Sequence, residues 1–219
     1  MTSSGRELLK WLAVVFMTGD HAAKILFGGY VPVLSEAGRI AFPVFAWVMA
    51  YNLSQPGANA AKSVRRLALW AAVAQPVYWW AFGNALPLNV LASFALAAAC
   101  VLCIERRRWV VLVIAAGVAP LFVDYQWAGL ALVLSWWCFY RYRPAGVPAV
   151  VATAAMTGSF VSLCVYNGNA WALLALPAFA LVRMEWAIPR SRWAFYVYYV
   201  AHLAGLAVMS NALLIANHH

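Results

Sequence analysis

Long apolar stretches, separated by short polar ones, run along the whole chain. They form nine segments, at about residues 8–27, 36–53, 65–82, 87–104, 109–123, 126–140, 147–165, 169–182 and 193–215. Because about 20 apolar residues of helix cross the hydrocarbon core of a bilayer, the pattern predicts transmembrane helices. The fifth and sixth segments have only about 15 residues each, and we expect them to be tilted or to break near Pro120 and Asp124.

The predicted fold class is therefore all-α, a polytopic integral membrane helix bundle of about nine transmembrane helices. The composition agrees, since 66% of the residues are hydrophobic and 10% are charged, with a mean hydropathy of +0.79. A soluble domain of this size carries far more charge. No linker or internal repeat interrupts the pattern, so we expect a single domain over residues 1–219 that is surrounded by membrane lipids. No small-residue cleavage site follows the first apolar segment, and we expect it to be retained as a span.

Basic residues predict the orientation of the bundle. All but two of the 15 lysines and arginines lie before or near the start of the first segment, or in or at the edge of every second connection, and the opposite connections hold none. By the positive-inside rule, the N-terminus is cytoplasmic and the C-terminus lies outside. Topology also explains the net charge of +9, so we do not expect nucleic-acid binding. The residues concerned are Arg6, Lys10, Lys62, Arg65, Arg66, Arg106, Arg107, Arg108, Arg141, Arg143, Arg183, Arg190 and Arg192.

Ionisable side chains interrupt the first two segments. Asp20, His21 and Lys24 lie within five positions of the first, and Arg39 lies near the start of the second. A charge at the bilayer centre costs roughly 2.5–3.5 kcal/mol on insertion scales, so these groups need partners or a task. One interpretation is a buried ion pair, Asp20–Lys24 or Asp20–Arg39, that fixes helix packing. The other is catalysis, because an imidazole beside a carboxylate is the usual arrangement of an oriented general base.

Three further polar positions have both a structural and a functional interpretation. Asn89 stands at the start of the fourth segment, where it either caps a helix or contacts a substrate. Asp124 precedes the sixth segment and is open to the same two interpretations. His202 lies near the middle of the last segment, close to Tyr199, where it either forms an interhelical hydrogen bond or takes part in chemistry. The four cysteines lie in apolar segments. Cys100 and Cys103 form a C-x-x-C pair, but no second pair and no matching histidines follow, so no metal site is predicted.

Four motifs together resemble the TraX family, membrane proteins that N-acetylate conjugative pilin. The first segment carries Asp20-His21, the second opens with "GRIAFPVFA" from Gly38 to Ala46, and two later motifs read "NVLASFAL" and "DYQWAG". The likeness covers nearly the whole chain, although Gly19 and Lys24 depart from the family pattern. TraX-like proteins are in turn similar to transmembrane acyltransferases, which use cytosolic acetyl-CoA. The aromatic-x-x-His pattern of Tyr199 to His202 resembles that wider group.

The resemblance implies an acetyl-CoA-dependent acyltransferase of the bacterial inner membrane, with a pilin N-terminal amine or another outward-facing group as acceptor. His21 is then the catalytic base, Asp20 or a neighbouring acid orients it, and His202 is a second catalytic candidate. Lys24 and Arg39 are expected to stabilise an oxyanion or to bind donor phosphates. The expected donor or substrate contacts also include Asn89, Tyr199, Asp124, Arg106, Arg107 and Arg108. A proton-coupled transporter and a non-catalytic pilus-assembly protein remain alternatives, as do an acetyl-histidine intermediate and direct transfer.

Overall fold

The fold is entirely helical in the part of the chain that the structure, a computed structural model, describes. Those residues are 2–183, 191 and 193–216. Ten α-helices follow one another: α1 Ser3–Leu26, α2 Leu34–Gly38, α3 Ala41–Ser54, α4 Ala60–Phe82, α5 Val90–Glu105, α6 Trp109–Gly117, α7 Gln126–Tyr142, α8 Val147–Asn167, α9 Ala175–Ala178 and α10 Ala194–Ala216. Three 3-10 helices span Ala119–Phe122, Trp171–Leu174 and Phe179–Arg183. These residues contain no β-strand, and one isolated parallel bridge joins Leu88 to Val123.

Most of the predicted segments coincide with one helix each, and three are interrupted. The second divides into α2 and α3, with Arg39 in the connection. In the fifth segment, α6 ends at Gly117 and a 3-10 helix follows it. The expected break near Pro120 is therefore confirmed. The prediction of a continuous helix over 169–182 was wrong, because α9 is a single turn between two 3-10 helices. Pro177 lies in that turn, where its ring removes a hydrogen-bond donor and clashes with the preceding turn.

Contacts divide the chain into two compact units, and the single domain over residues 1–219 stays a prediction. The first unit contains the residues up to Phe45, then Val73–Ala85, and the residues from Leu173 onward. In its interior, α1 packs against α2, α10 and the 3-10 helix Phe179–Arg183. The second unit contains Ala46–Ala72 and Leu86–Ala172. Here α7 packs against α5 and α8, around fully buried side chains such as Leu132 and Leu163.

The first helix is fixed at its start by local hydrogen bonds. The Thr2 hydroxyl accepts a hydrogen bond from the backbone N–H of Gly5 at 3.0 Å, which satisfies one free donor of the first turn. The same hydroxyl donates to the carbonyl of Val182 at 3.1 Å. Gly5 lies so close to Val182 that a Cβ there would overlap its carbonyl oxygen, so only glycine permits this approach. These contacts place α1 alongside the 3-10 helix that ends at Arg183.

Two of the described helices, α8 and α10, are long and apolar enough to cross a membrane, by length and composition alone. Shorter apolar helical stretches cover Val90–Glu105, Trp109–Phe122 and Trp171–Val182. The nine-span topology therefore stays a prediction. Arg190 and Arg192, two of the predicted cytoplasmic cations, lie outside the described residues, as does the side chain of Arg183.

Candidate functional site

Two histidines from opposite ends of the chain meet where α1 packs against α10. The Nδ1 atom of His21 lies 2.8 Å from Nε2 of His202, within hydrogen-bonding distance. Their rings are nearly parallel, at an interplanar angle of 6°, with centroids 5.1 Å apart. We call these two residues the histidine pair. The predicted candidates His21 and His202 therefore belong to one site, and the interhelical hydrogen bond expected of His202 is present.

The hydrogen-bond network assigns the protons of the histidine pair. Nδ1 of His202 lies 2.9 Å from the carbonyl oxygen of Tyr198, which can only accept, so that nitrogen carries a hydrogen. In a neutral His202, Nε2 then holds a lone pair and accepts from Nδ1–H of His21. The remaining nitrogen, Nε2 of His21, is left with its lone pair. This tautomer is the one that a general base requires.

Aromatic rings surround the histidine pair. Phe82 of α4 meets the ring of His21 edge-on at 5.5 Å, and the buried Tyr199 lies 5.6 Å from the ring of His202. The ring of Tyr198 stacks on His202 at 5.1 Å with an interplanar angle of 10°. Both imidazoles are half-buried among these rings.

Asp20 is paired with Lys24 rather than with His21. The Lys24 ammonium donates to Oδ2 of Asp20 at 2.7 Å, one helical turn along α1, as one of the two predicted ion pairs requires. Asp20 is only 7% exposed, and its Oδ1 accepts no hydrogen bond from the described residues. The expectation that Asp20 or another acid orients His21 was wrong, because His202 occupies the Nδ1 side of that ring.

The α1–α2 contact explains why two of the sequence motifs belong together. Gly38 packs so tightly against Asp20 that a Cβ at that position would overlap the Cβ of Asp20. The next residue, Arg39, is half-buried in the connection from α2 to α3 and lies in the same unit as the histidine pair. The glycine of the second motif therefore allows the aspartate of the first to be buried.

The loop before α2 is held by the Glu36 carboxylate. Glu36 accepts from the Tyr30 hydroxyl at 2.5 Å and from the backbone N–H of Val33 at 3.2 Å. The hydrogen bond to Glu36 raises the pKa of the Tyr30 phenol, because it favours the protonated form. Val33 has a φ of +68°, rare for a β-branched residue, and its neighbours close a tight turn from Leu34 N–H to the Pro32 carbonyl at 2.8 Å. The carboxylate thus stabilises a strained turn between α1 and α2.

Asn89 and Asp124 lie in the second unit, where their observed bonds are structural. Asn89 is fully buried, caps α5 by accepting from the N–H of Leu91, and donates to the carbonyl of Ala71 at 2.9 Å. The capping interpretation of Asn89 is therefore confirmed. Asp124 accepts at Oδ1 from the N–H of Tyr125, the N-cap of α7, and its carbonyl accepts from the Ser93 hydroxyl at 2.6 Å.

Three consecutive exposed cations form the connection between α5 and α6. Arg106 is the C-cap that follows α5, Arg107 has a positive φ of 54°, and Arg108 precedes the first residue of α6. We call these three residues the arginine turn. All three side chains are exposed. Within the described residues, no group of three or more histidine, cysteine or acidic side chains is arranged to hold a metal ion.

The sequence analysis missed three residues that contact the histidine pair or its helices. Tyr198 stands four residues before His202 on α10, and Thr18 stands three before His21 on α1. That spacing places each on the same helix face as its histidine, and it was a usable signal. Phe82 had no such signal, because its contact with His21 depends on how α4 packs.

Comparison with known proteins gives the relationship of this chain. The family model described as TraX protein matches residues 5–210. The chain is 30% identical over 217 residues to Protein TraX of Escherichia coli, covering 94% of this chain and 87% of that protein. It is 36% identical over 105 residues to Protein TraX of Escherichia coli strain K12, covering 48% and 42%. No solved structure matches. The chain belongs to the TraX family.

Proposed function

We propose that this protein is a multi-pass acyltransferase of the bacterial inner membrane. It transfers acetyl from cytosolic acetyl-CoA to an amine on an outward-facing acceptor, such as the N-terminus of a pilin. The observation that supports this proposal best is the 2.8 Å contact between Nδ1 of His21 and Nε2 of His202. In this contact, the imidazole of His21 keeps a lone pair at Nε2 and is oriented by the imidazole of His202. Aromatic side chains lie around both.

In the proposed reaction, His21 is the general base. The neutral amine attacks the thioester carbonyl while Nε2 of His21 removes one of its protons, so that an amide bond forms as the carbon–sulfur bond breaks. The leaving CoA thiolate takes that proton from His21 and departs as the free thiol. During the step, the positive charge of His21 is shared with His202 through the Nδ1–H hydrogen bond.

Lys24 is the proposed electrostatic support for the tetrahedral intermediate. Its ammonium carries three donors, of which one is used by Asp20. The remaining donors suit an oxyanion, and the exposed position of Lys24 permits small movements toward it. Asp20 then holds the lysine in place instead of orienting the base.

The arginine turn is the proposed contact for the phosphates of CoA. Its three exposed charges lie in a connection that the positive-inside rule assigns to the cytosol, where acetyl-CoA is found. Exposed guanidinium groups bind phosphate oxygens in paired hydrogen bonds. With this assignment the N-terminus is cytosolic, nine spans follow and the C-terminus lies outside.

Proton-coupled transport is the second candidate, because two hydrogen-bonded imidazoles can also pass a proton from one ring to the other. The two functions predict different products. An acyltransferase releases free CoA in proportion to acetylated acceptor, whereas a transporter moves protons across a sealed membrane without consuming acetyl-CoA.

The test uses the purified full chain in proteoliposomes with radiolabelled acetyl-CoA. The acceptor probe is a synthetic peptide with a free α-amino group, compared with the same peptide blocked at its N-terminus. We expect label only in the free peptide, one CoA thiol released per acetyl transferred, and a loss of about 10²–10⁴-fold in His21→Gln. The matched control is Lys62→Gln, an exposed position at the start of α4 that should transfer at the wild-type rate.

Two results would overturn the proposal. One is a folded His21→Gln protein that transfers acetyl as fast as Lys62→Gln. The other is a wild-type protein that transfers no label but carries protons down a pH gradient, which would establish the transport function.

A further inference from the structure

We infer that Tyr198 and Thr18 position the histidine pair by forming a second hydrogen-bonded bridge between α1 and α10. This inference rests on the proposed function and adds positioning residues to the same site. Neither residue touches the reacting nitrogen of His21. Both act through His202 and through the alignment of the two helices.

Tyr198 contacts His202 with two of its groups. Its backbone carbonyl accepts from Nδ1 of His202 at 2.9 Å, which sets the tautomer of that ring. Its side-chain ring stacks on the imidazole with an interplanar angle of 10°, which limits rotation of the imidazole about its side-chain bonds. The third group of Tyr198, the phenol hydroxyl, lies 2.8 Å from the hydroxyl of Thr18 on α1.

The direction of the Tyr198–Thr18 hydrogen bond follows from the second bond of Thr18. The Thr18 hydroxyl donates to the carbonyl of Val14 at 2.8 Å, so its single hydrogen is already used. Thr18 therefore accepts, and the Tyr198 hydroxyl donates. In this arrangement Thr18 is fixed to its own helix and offers a defined acceptor to the opposite one.

Two hydrogen bonds between α1 and α10 restrict helix movements that a single hydrogen bond permits. Tyr198 and His202 are four residues apart on α10, and Thr18 and His21 are three apart on α1, or roughly 6 and 4.5 Å along the helix axes. A single hydrogen bond permits the helices to slide or rotate about it. With the second bond one turn away, both movements are restricted, and the hydrogen bond of the histidine pair keeps its short length.

Removal of the Tyr198 hydroxyl should disturb alignment without removing a reacting group. The Tyr198→Phe variant keeps the stacked ring and the backbone carbonyl, and Thr18→Val keeps the shape of the threonine. We therefore expect kcat to fall while the KM for acetyl-CoA stays unchanged. The expected loss is about three- to tenfold, the size of one net hydrogen bond.

The experiment measures the two single variants and the double variant as full chains in detergent. If the hydroxyls act through one shared bond, the double variant should lose no more than either single variant. Thr18→Ser, which keeps the hydroxyl, should restore kcat. The matched controls are Tyr142→Phe, whose ring is largely exposed, and Thr153→Val on α8, whose hydroxyl bonds only within its own helix at 2.9 Å among the contacts described.

A second measurement separates this inference from the proposed function. The ¹⁵N signals of the histidine rings report which nitrogen of His21 carries the hydrogen. We expect one tautomer in the wild type and a mixture in Tyr198→Phe. A wild-type protein without acetyl transfer overturns the proposed function but leaves this comparison intact. Unchanged ¹⁵N signals in a folded Tyr198→Phe protein, or a strictly additive double variant, would overturn the positioning role.

Discussion

Substitution of His202 by glutamine or by asparagine separates the two hydrogen bonds of that residue. A glutamine amide reaches the position of Nε2, which lies 2.8 Å from His21, whereas an asparagine amide occupies the position of Nδ1, which lies 2.9 Å from the Tyr198 carbonyl. The glutamine oxygen can accept from Nδ1–H of His21 and so keep its reactive tautomer. Asparagine keeps the bond to Tyr198 but leaves His21 without an acceptor.

The size of the effect follows from the half-buried position of the pair. A buried donor without a partner costs about 1–3 kcal/mol, which corresponds to a roughly 5- to 150-fold loss of the reactive tautomer. We therefore expect His202→Asn to lower kcat by about this factor. His202→Gln should stay within about fivefold of the wild type, because it replaces one neutral acceptor by another.

The assay is acetyl transfer from acetyl-CoA to the free-amine peptide, with both variants purified as monodisperse protein. Each variant is the control for the other, because both remove the imidazole and differ only in where the amide lies. Equal losses in the two variants would refute the reasoning, because His202 would then be needed as a proton acceptor. If both variants transferred acetyl at the wild-type rate, the hydrogen bond between His21 and His202 would have no part in the mechanism.

Two more predictions concern the charged residues. Lys24→Ala should lower the free energy of unfolding by about 2 kcal/mol, a value between those of exposed and fully buried ion pairs. The reason is that the side chains of Lys24 and Asp20 are 40% and 10% exposed. SDS-induced unfolding measures this loss, and an equal effect of Lys62→Ala would contradict it. Replacing the arginine turn by three glutamines should raise the KM for acetyl-CoA more than it lowers kcat, most strongly at low salt. A kinetic titration checks this, and the same rise in the Arg141→Gln, Arg143→Gln double variant would show a general effect of charge.

Helices could be predicted from the sequence wherever one apolar run had a clear boundary. The run over 8–27 became α1, and the nearby Thr2 supplied the cap. Hydrophobicity alone could not show where a run stops being one regular helix. After Asn169 the run over 169–182 is apolar, yet it forms one helical turn between two 3-10 helices, with Pro177 in that turn. Backbone chemistry, and not hydropathy, decides such interruptions.

The site could be predicted only as far as local spacing reaches. Asp20 and Lys24 are four residues apart on one helix, so their ion pair could be expected from the sequence. His21 and His202 were both candidates, but their contact joins residues separated by 181 positions. No pattern within a single helix carries that information, because it depends on which faces of α1 and α10 pack together. The carboxylate adjacent in sequence was therefore expected on the side of His21 where the distant histidine lies.

For the proposed membrane-embedded base, a pair of imidazoles is better suited than an imidazole and a carboxylate. Two neutral rings add no net charge before the reaction, whereas an orienting carboxylate would add a charge costing roughly 2.5–3.5 kcal/mol at the bilayer centre. The carboxylate that α1 does contain is neutralised by Lys24 on the same helix. Because the pair joins α1 to α10, the proposed base acquires its orientation only when the last described helix has packed against the first. A chain that lacks α10 should therefore retain His21 and its ion pair but lose the oriented base.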